Sequence, residues 1–217
     1  MKFRLLFCHT VVCAVLFSIA DAAAQVVAGT IERQRGDATR IVGGEAFPLV
    51  AQGWMFVGDT ITTGRDARVI IRFNDSSTLT LGENANIDID ELVYSPAAAG
   101  NGRQALKFTQ GVFQFVSGAI SAANHDNVTI TTRVATIGIR GTRFVAGELA
   151  VGMPPGVPHF GVQIYDGAVE VISPAGAVTL NQPGQGTFLP LTRVAAPTPV
   201  RQWTPEEAAK ARAALAF

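Results

Sequence analysis

Between residues 26 and 191 apolar and polar residues alternate in short runs. Glycine, asparagine, aspartate or proline ends each run. A period of two places successive side chains on opposite faces of a strand, so each run reads as a half-buried strand. Many such runs with turn residues between them predict an all-β sandwich, barrel or solenoid. Strands are expected over residues 26–33, 38–42, 49–56, 59–62, 68–73, 78–81 and 85–93, and again over 106–109, 112–117, 128–132, 134–139 and 143–146. The first two read as a small hairpin around Arg35, Gly36 and Asp37, and Gln110-Gly111 reads as a two-residue turn. Residues 160–165 and 168–172 read as a hairpin through Asp166-Gly167, a dipeptide that supplies the positive φ angles of a tight turn. Further turns are expected at Ala175-Gly176, Pro183-Gly184 and Gly186, with loops at 95–102 and, rich in proline, at 153–158.

The tail changes character. Residues 195–200 form a Pro-rich linker. Thr204-Pro205-Glu206-Glu207 has the form of a capping box, with Thr at the N-cap, Pro at the first helical position and Glu three residues after the cap. A short helix is expected to follow over 208–216.

One stretch stands out: Ala135-Thr136-Ile137-Gly138-Ile139-Arg140-Gly141-Thr142. Alternation puts Ile137 and Ile139 on one face and Gly138 and Arg140 on the other. Glycine inside a strand pattern marks a bulge, a bend or a close approach of another backbone. The octapeptide therefore reads as a buried, sharply bent crossing point and not as a catalytic loop.

The first residues read as an export signal. Lys2 and Arg4 give the charged start, residues 5–20 are mostly apolar, and Ala22-Ala23-Ala24 gives a cleavage pattern before Gln25. Cys8 and Cys13 are the two cysteines of the chain, and both fall in this segment. A cleaved chain would have no disulfide, no thiolate metal site and no cysteine nucleophile. Charge is balanced, with 17 Lys and Arg against 17 Asp and Glu, so nothing points to nucleic acid or an anionic membrane. No later run is long and apolar enough to cross a membrane as a helix.

Candidate chemistry is sparse. His125 and His159 lie in no metal spacing and read as surface residues. Asp88, Asp90 and Glu91 read as a solvated acidic face opposite Ile87 and Ile89, with a calcium set as the rival, although the EF-hand pattern is absent. Carboxylate chemistry would have to use Asp59, Asp88, Asp90 or Asp166. Arg140 and Arg143 could present guanidinium groups to a partner, or pair with carboxylates inside the fold. Trp54, Phe56, Phe113, Phe115, Phe144 and Phe160 lie in strands and read as core. Trp203 reads as the anchor of the terminal helix, or as an exposed contact for a partner.

The octapeptide, in order with Gly29-Thr30-Ile31, Gly58-Asp59-Thr60-Ile61-Thr62-Thr63-Gly64, Asn74-Asp75-Ser76-Ser77, Gly111-Val112-Phe113 and Tyr165-Asp166-Gly167-Ala168-Val169, resembles the FecR-domain family. The resemblance implies an extracytoplasmic all-β domain. In signalling members that domain lies in the periplasm and relays the state of an outer-membrane iron transporter to a cytoplasmic sigma factor. Those members carry a cytoplasmic segment and a membrane span first, whereas this chain is expected to start with a cleavable signal and to have no sigma-binding segment.

The expectation is thus a wound β-sandwich or β-solenoid-like FecR domain with a short C-terminal α-helix. It divides into a signal peptide (1–24), an N-terminal β-hairpin unit (25–57), the β-domain (58–191) and the linker with helix (192–217). Its expected function is non-enzymatic contact or signalling in the periplasm, with an envelope protein as partner and no cofactor, metal or nucleic acid. The alternative is an envelope carbohydrate- or peptidoglycan-binding protein, or a structural part of a surface assembly. Residues 135–142, Arg143 and Trp203 are the candidate contacts.

Overall fold

The computed structural model describes residues 25–149, 151–152 and 158–217. The expected signal peptide, 1–24, and residues 153–157 of the Pro-rich loop lie outside the described residues. The first strands in chain order are β1 (Val27–Arg35), β2 (Ala38–Val42), β3 (Glu45–Pro48), β4 (Trp54–Phe56), β5 (Thr60–Thr63), β6 (Arg68–Phe73), β7 (Thr78–Leu81) and β8 (Asn86–Val93). Then come β9 (Arg103–Gln110), β10 (Val112–Val116), helix α1 (Ala119–Ala123), β11 (Val128–Thr132), β12 (Thr136–Gly147) and β13 (His159–Ser173). The chain ends with β14 (Gly176–Leu180), β15 (Gln185–Pro190), β16 (Arg201–Gln202) and helix α2 (Pro205–Ala213).

Among the described residues the sixteen strands form one continuous curled sheet; twelve follow the order β3-β2-β5-β8-β9-β11-β12-β10-β7-β6-β1-β4, β13 lies beside β12, β14 and β15 pair with β13, and β16 pairs with β15. The curl makes two layers. β3, β2, β5, β8, β9, β11 and the first half of β12 form one layer; β4, β1, β6, β7, β10 and the second half of β12 form the other. The chain crosses between layers repeatedly, at β1–β2, β3–β4, β4–β5, β5–β6, β7–β8, β9–β10 and β10–β11, so the sandwich is wound. Every pairing is antiparallel except β9–β11.

The alternating runs meet between the layers. Ile31, Ile71, Leu79 and Phe113 of one layer share a single core with Ile61, Ile87, Leu106 and Ile137 of the other. Phe108 and Phe113 lie on either side of a crossing with ring centroids 4.2 Å apart, and Phe144 meets Phe113 edge-on at 5.8 Å. Each such ring contributes about 1.5–3 kcal/mol by burial. The crossing at β10 to β11 is held from below by the β6–β7 turn. There Asp75 accepts the Ser77 amide (3.0 Å) and hydroxyl (2.6 Å), and its backbone carbonyl accepts the first amide of α1.

Three local expectations are corrected. β1 and β2 do not form a hairpin. The Gly36-Asp37 corner carries the chain across, and β1 pairs with β4 and β6 while β2 pairs with β3 and β5. The 25–57 segment is therefore built into both layers. The run 49–56 is not one strand, because a turn at 51–53, with Gln52 at φ 65, separates β3 from β4. Asp166-Gly167 is not a hairpin turn either: β13 runs through it as one strand. On β8, alternation breaks at a bulge between Ile89 and Glu91, so Leu92 also faces inward.

Helix α2 adds a third layer. Phe144 and Ala146 of β12 point into the main core, and Val145 points the other way, into a second cluster with Val112, Phe188, Trp203, Ala211 and Leu215. That explains the run of consecutive buried residues at the end of β12. Trp203 stacks flat on Phe188, with centroids 4.9 Å apart and planes 2° apart. The capping box forms on both sides. Glu207 also takes two hydrogen bonds from Arg201, at 2.7 and 2.8 Å.

That fork, helped by the Thr204 amide and opposed by burial, holds the Glu207 carboxyl down at about 2. A carboxylate depressed in the folded state adds stability that is complete above its ordinary value near 4.5 and disappears as pH falls toward 2. Docking of α2, read from Trp203 fluorescence in a Trp54→Phe background, should therefore weaken between those two pH values. Glu207→Gln should remove this dependence, and Thr204→Ala should cost about 1 kcal/mol at neutral pH.

Candidate partner-binding face

The octapeptide occupies the start of β12, with Ala135 just ahead of it. Ile137 and Ile139 are buried in the core, and Arg140 is exposed on the other face. Gly138 lies between Thr129 of β11 and Glu170 of β13. The strand then bends. Its register with β13 shifts between Arg140 and Arg143, and Gly141 sits at φ 54 opposite Gly167 at φ 81.

Two glycines face each other at this bend, for different reasons. A Cβ on Gly167 would lie 1.9 Å from the Gly141 carbonyl oxygen, whereas one on Gly141 would meet nothing within 4 Å. Gly167 is thus required for space and conformation together, Gly141 for conformation alone. Side chains stitch the bend: the Thr142 hydroxyl donates to the Asp166 carbonyl, Ser117 Oγ accepts the Thr142 amide (2.9 Å), and Ser121 Oγ accepts the Gly141 amide (3.3 Å).

The outward side is open. Thr136, Gly138 and Arg140 line a shallow groove of about 460 Å³ with Glu170, His125 and Asp126. Arg143, also exposed, lies with its guanidinium 5.5 Å from the Tyr165 ring centroid. Neither Arg140 nor Arg143 forms an ion pair among the described residues, so internal pairing does not occupy them.

The other expected site residues are scattered. Trp203 is 6% exposed and lies beneath α2, so it anchors the helix and is not a surface contact. His159 is buried, because its ring packs edge-on against Phe188 from the neighbouring strand and its Nε2 lies 2.6 Å from the Val151 carbonyl. His125 is half-buried beside Asp126. Asp88 accepts the Thr60 hydroxyl (2.6 Å) and faces Lys107 at 3.7 Å. Asp166 Oδ1 accepts the Gly167 amide (3.0 Å) and serves the bend. Among the described residues no three His, Cys, Asp or Glu are gathered to hold a metal ion.

Asp59 belongs to a different construction. It is buried, and burial raises its carboxyl above the ordinary value against the pull of the Phe56 amide and Arg40. The amide bond is 2.8 Å and the Arg40 Nε contact 3.4 Å. Arg40, on β2, also donates to the Trp54 carbonyl (3.2 Å) and lies 5.0 Å from the Phe56 ring centroid. It rivets the two ends of the curled sheet together. Beside it, on the edge strands β3 and β4, Phe47 is 46% and Trp54 61% exposed, and Val26 and Val50 nearby are exposed too. Sequence reading placed Trp54 in the core. The alternation of Trp54, Met55 and Phe56 marks two faces but does not say which is covered, and Met55 is the buried one.

The sequence model of the FecR protein family matches residues 59–170. The chain belongs to the FecR family. The match begins at the buried Asp59 and ends on β13, beside Gly138, so it spans the bent strand pair. Two crystal structures of a candidate anti-sigma factor from Parabacteroides distasonis, at 1.65 and 2.50 Å, are similar at 14% identity and a TM-score of 0.49; the likeness covers 67% of this chain and 59% of that one. This FecR chain thus spans less than two thirds of the length of those proteins. No curated protein matches the sequence.

The glycine pair yields a graded test in urea unfolding. Gly141→Ala should cost about 1–2 kcal/mol, the penalty of a left-handed alanine. Gly167→Ala should cost more than about 3 kcal/mol or abolish folding, because backbone atoms have to move.

Proposed function

We propose that this FecR-domain protein works without catalysis, after export to the periplasm, as a signalling module that binds another envelope protein. The observation that carries the reading is the open sheet edge of β3. Among the described residues β3 pairs only with β2, whereas the outward backbone of β4 is taken, the Trp54 carbonyl by Arg40 and the Phe56 amide by Asp59. An unpaired edge accepts an added strand, and Phe47 and Trp54 offer aromatic area beside it. Export is supported by the charged and apolar opening of the sequence and by the placing of both cysteines within it. A second reading, binding of envelope glycan, is favoured by the same two solvent-facing aromatic rings.

A photo-crosslinking amino acid at position 54 or 47 of the full chain, in intact cells, separates these. The contact reading expects one discrete protein adduct that is absent when the probe replaces the exposed Lys107. The adduct should be lost when Phe47→Asp is combined with the probe at 54, while surface substitution leaves stability within about 0.5 kcal/mol. Equal labelling from all three positions overturns it. Retention on purified peptidoglycan that Trp54→Ala abolishes would favour the glycan reading. Fractionation reads the location: a processed chain in the periplasm is expected, and an unprocessed cytoplasmic one refutes export.

A further inference from the structure

A second groove lies at the head of the octapeptide, apart from the open edge of β3. The β11–β12 turn, the β13–β14 turn and the segment after β15 enclose about 560 Å³ there. That volume is within the range of sites that take small ligands and short segments. Its surface is unusual in two respects. Ile172 is 41% and Val194 71% exposed, so apolar side chains are left open to water. Its charged lining residues are Arg133 and Arg193, and no carboxylate lines it. The groove over Gly138, by contrast, has both signs of charge.

Arg133 is only loosely engaged, 3.5 Å from Glu148, which stands outside the groove. Arg193 has no ion pair among the described residues. Two guanidinium groups over an apolar floor complement a chain that carries a carboxylate next to apolar side chains. Thr136 and Thr192 add hydroxyls that make no hydrogen bond among the described residues. Peptide amides and carbonyls would satisfy those hydroxyls, and an acyl chain would not. The choice thus falls on a peptide over a fatty acid.

We propose that this groove is a binding site for a short apolar peptide segment bearing a carboxylate, side-chain or C-terminal, supplied by a partner protein. It is a site additional to the β3 edge and does not depend on it.

A random peptide library, displayed both internally and with free C-termini, would be panned on the full chain. Selected peptides would be measured by fluorescence anisotropy. The enriched peptides should carry Asp, Glu or a free C-terminus beside apolar residues. Arg193→Glu and Val194→Asp should each weaken them at least ~10-fold, about 1.4 kcal/mol. Both positions are exposed, so thermal unfolding of these variants should match the parent. Trp54→Ser should leave peptide affinity unchanged, which separates this site from the edge contact. Any of the following overturns the proposal: no peptide enriched, enrichment without carboxylates, affinity indifferent to Arg193→Glu, or laurate binding that Arg193→Glu abolishes and no selected peptide displaces.

Discussion

One strand pair serves both layers of this sandwich, and it does so because two glycines are opposed where it bends. The first half of β12 pairs with β11, the second half with β10, and β13 follows it through both halves. Without the bend at Gly141 and Gly167 the two halves would lie in one plane, and Ile137 and Phe144 could not face the same core. The hydroxyls of Ser117, Ser121 and Thr142 then satisfy the backbone groups that a register shift leaves unpaired. A bend that left those groups buried without partners would cost about 1–3 kcal/mol for each. The octapeptide is therefore a bend between layers, and the side that carries Arg140 faces solvent.

Much of this was legible in the sequence. β2, β6, β7 and β11 fall at their expected residues, since alternation and turn residues agree there. The inward pair Ile137 and Ile139, and the capping box at Thr204, also follow from local pattern. The failures share one physical cause. Asp166-Gly167 satisfies a hairpin turn and a bulge equally well, and what decides is Gly141, which is distant in sequence. His159 is buried by Phe188, a partner that no local pattern announces, whereas Trp203 anchors the terminal helix as its place just ahead of the cap suggests. Trp54 fails the opposite way: it has the composition of a core residue at a sheet edge that nothing covers.

Closure at the other end of the sheet depends on a charge. Arg40 touches Asp59, the Trp54 carbonyl and the Phe56 ring, and so ties β2 to β4 across the gap between the layers. A guanidinium can do this because its planar fork bonds in several directions while its face lies against an aromatic ring. A hydrogen-bonded ladder would have closed the sandwich into a barrel and removed the free edge of β3. Riveting the ends with a side chain holds the shape, occupies the outward backbone of β4 and leaves β3 available.

Covering is uneven in the same sense. Helix α2 seals the outer face of β10 and β12 with Val145, Phe188 and Trp203, so that surface is no longer a place for a partner. Apart from Val93, the large apolar side chains still in water gather in two places: beside the edge of β3, with Phe47 and Trp54, and at the groove of Ile172 and Val194. If exposed apolar side chains were only incidental, they would be scattered singly, as on most surfaces. Here they gather beside unpaired backbone in one case and beside two arginines without carboxylates in the other. Each setting supplies a second, directional interaction beside its apolar surface.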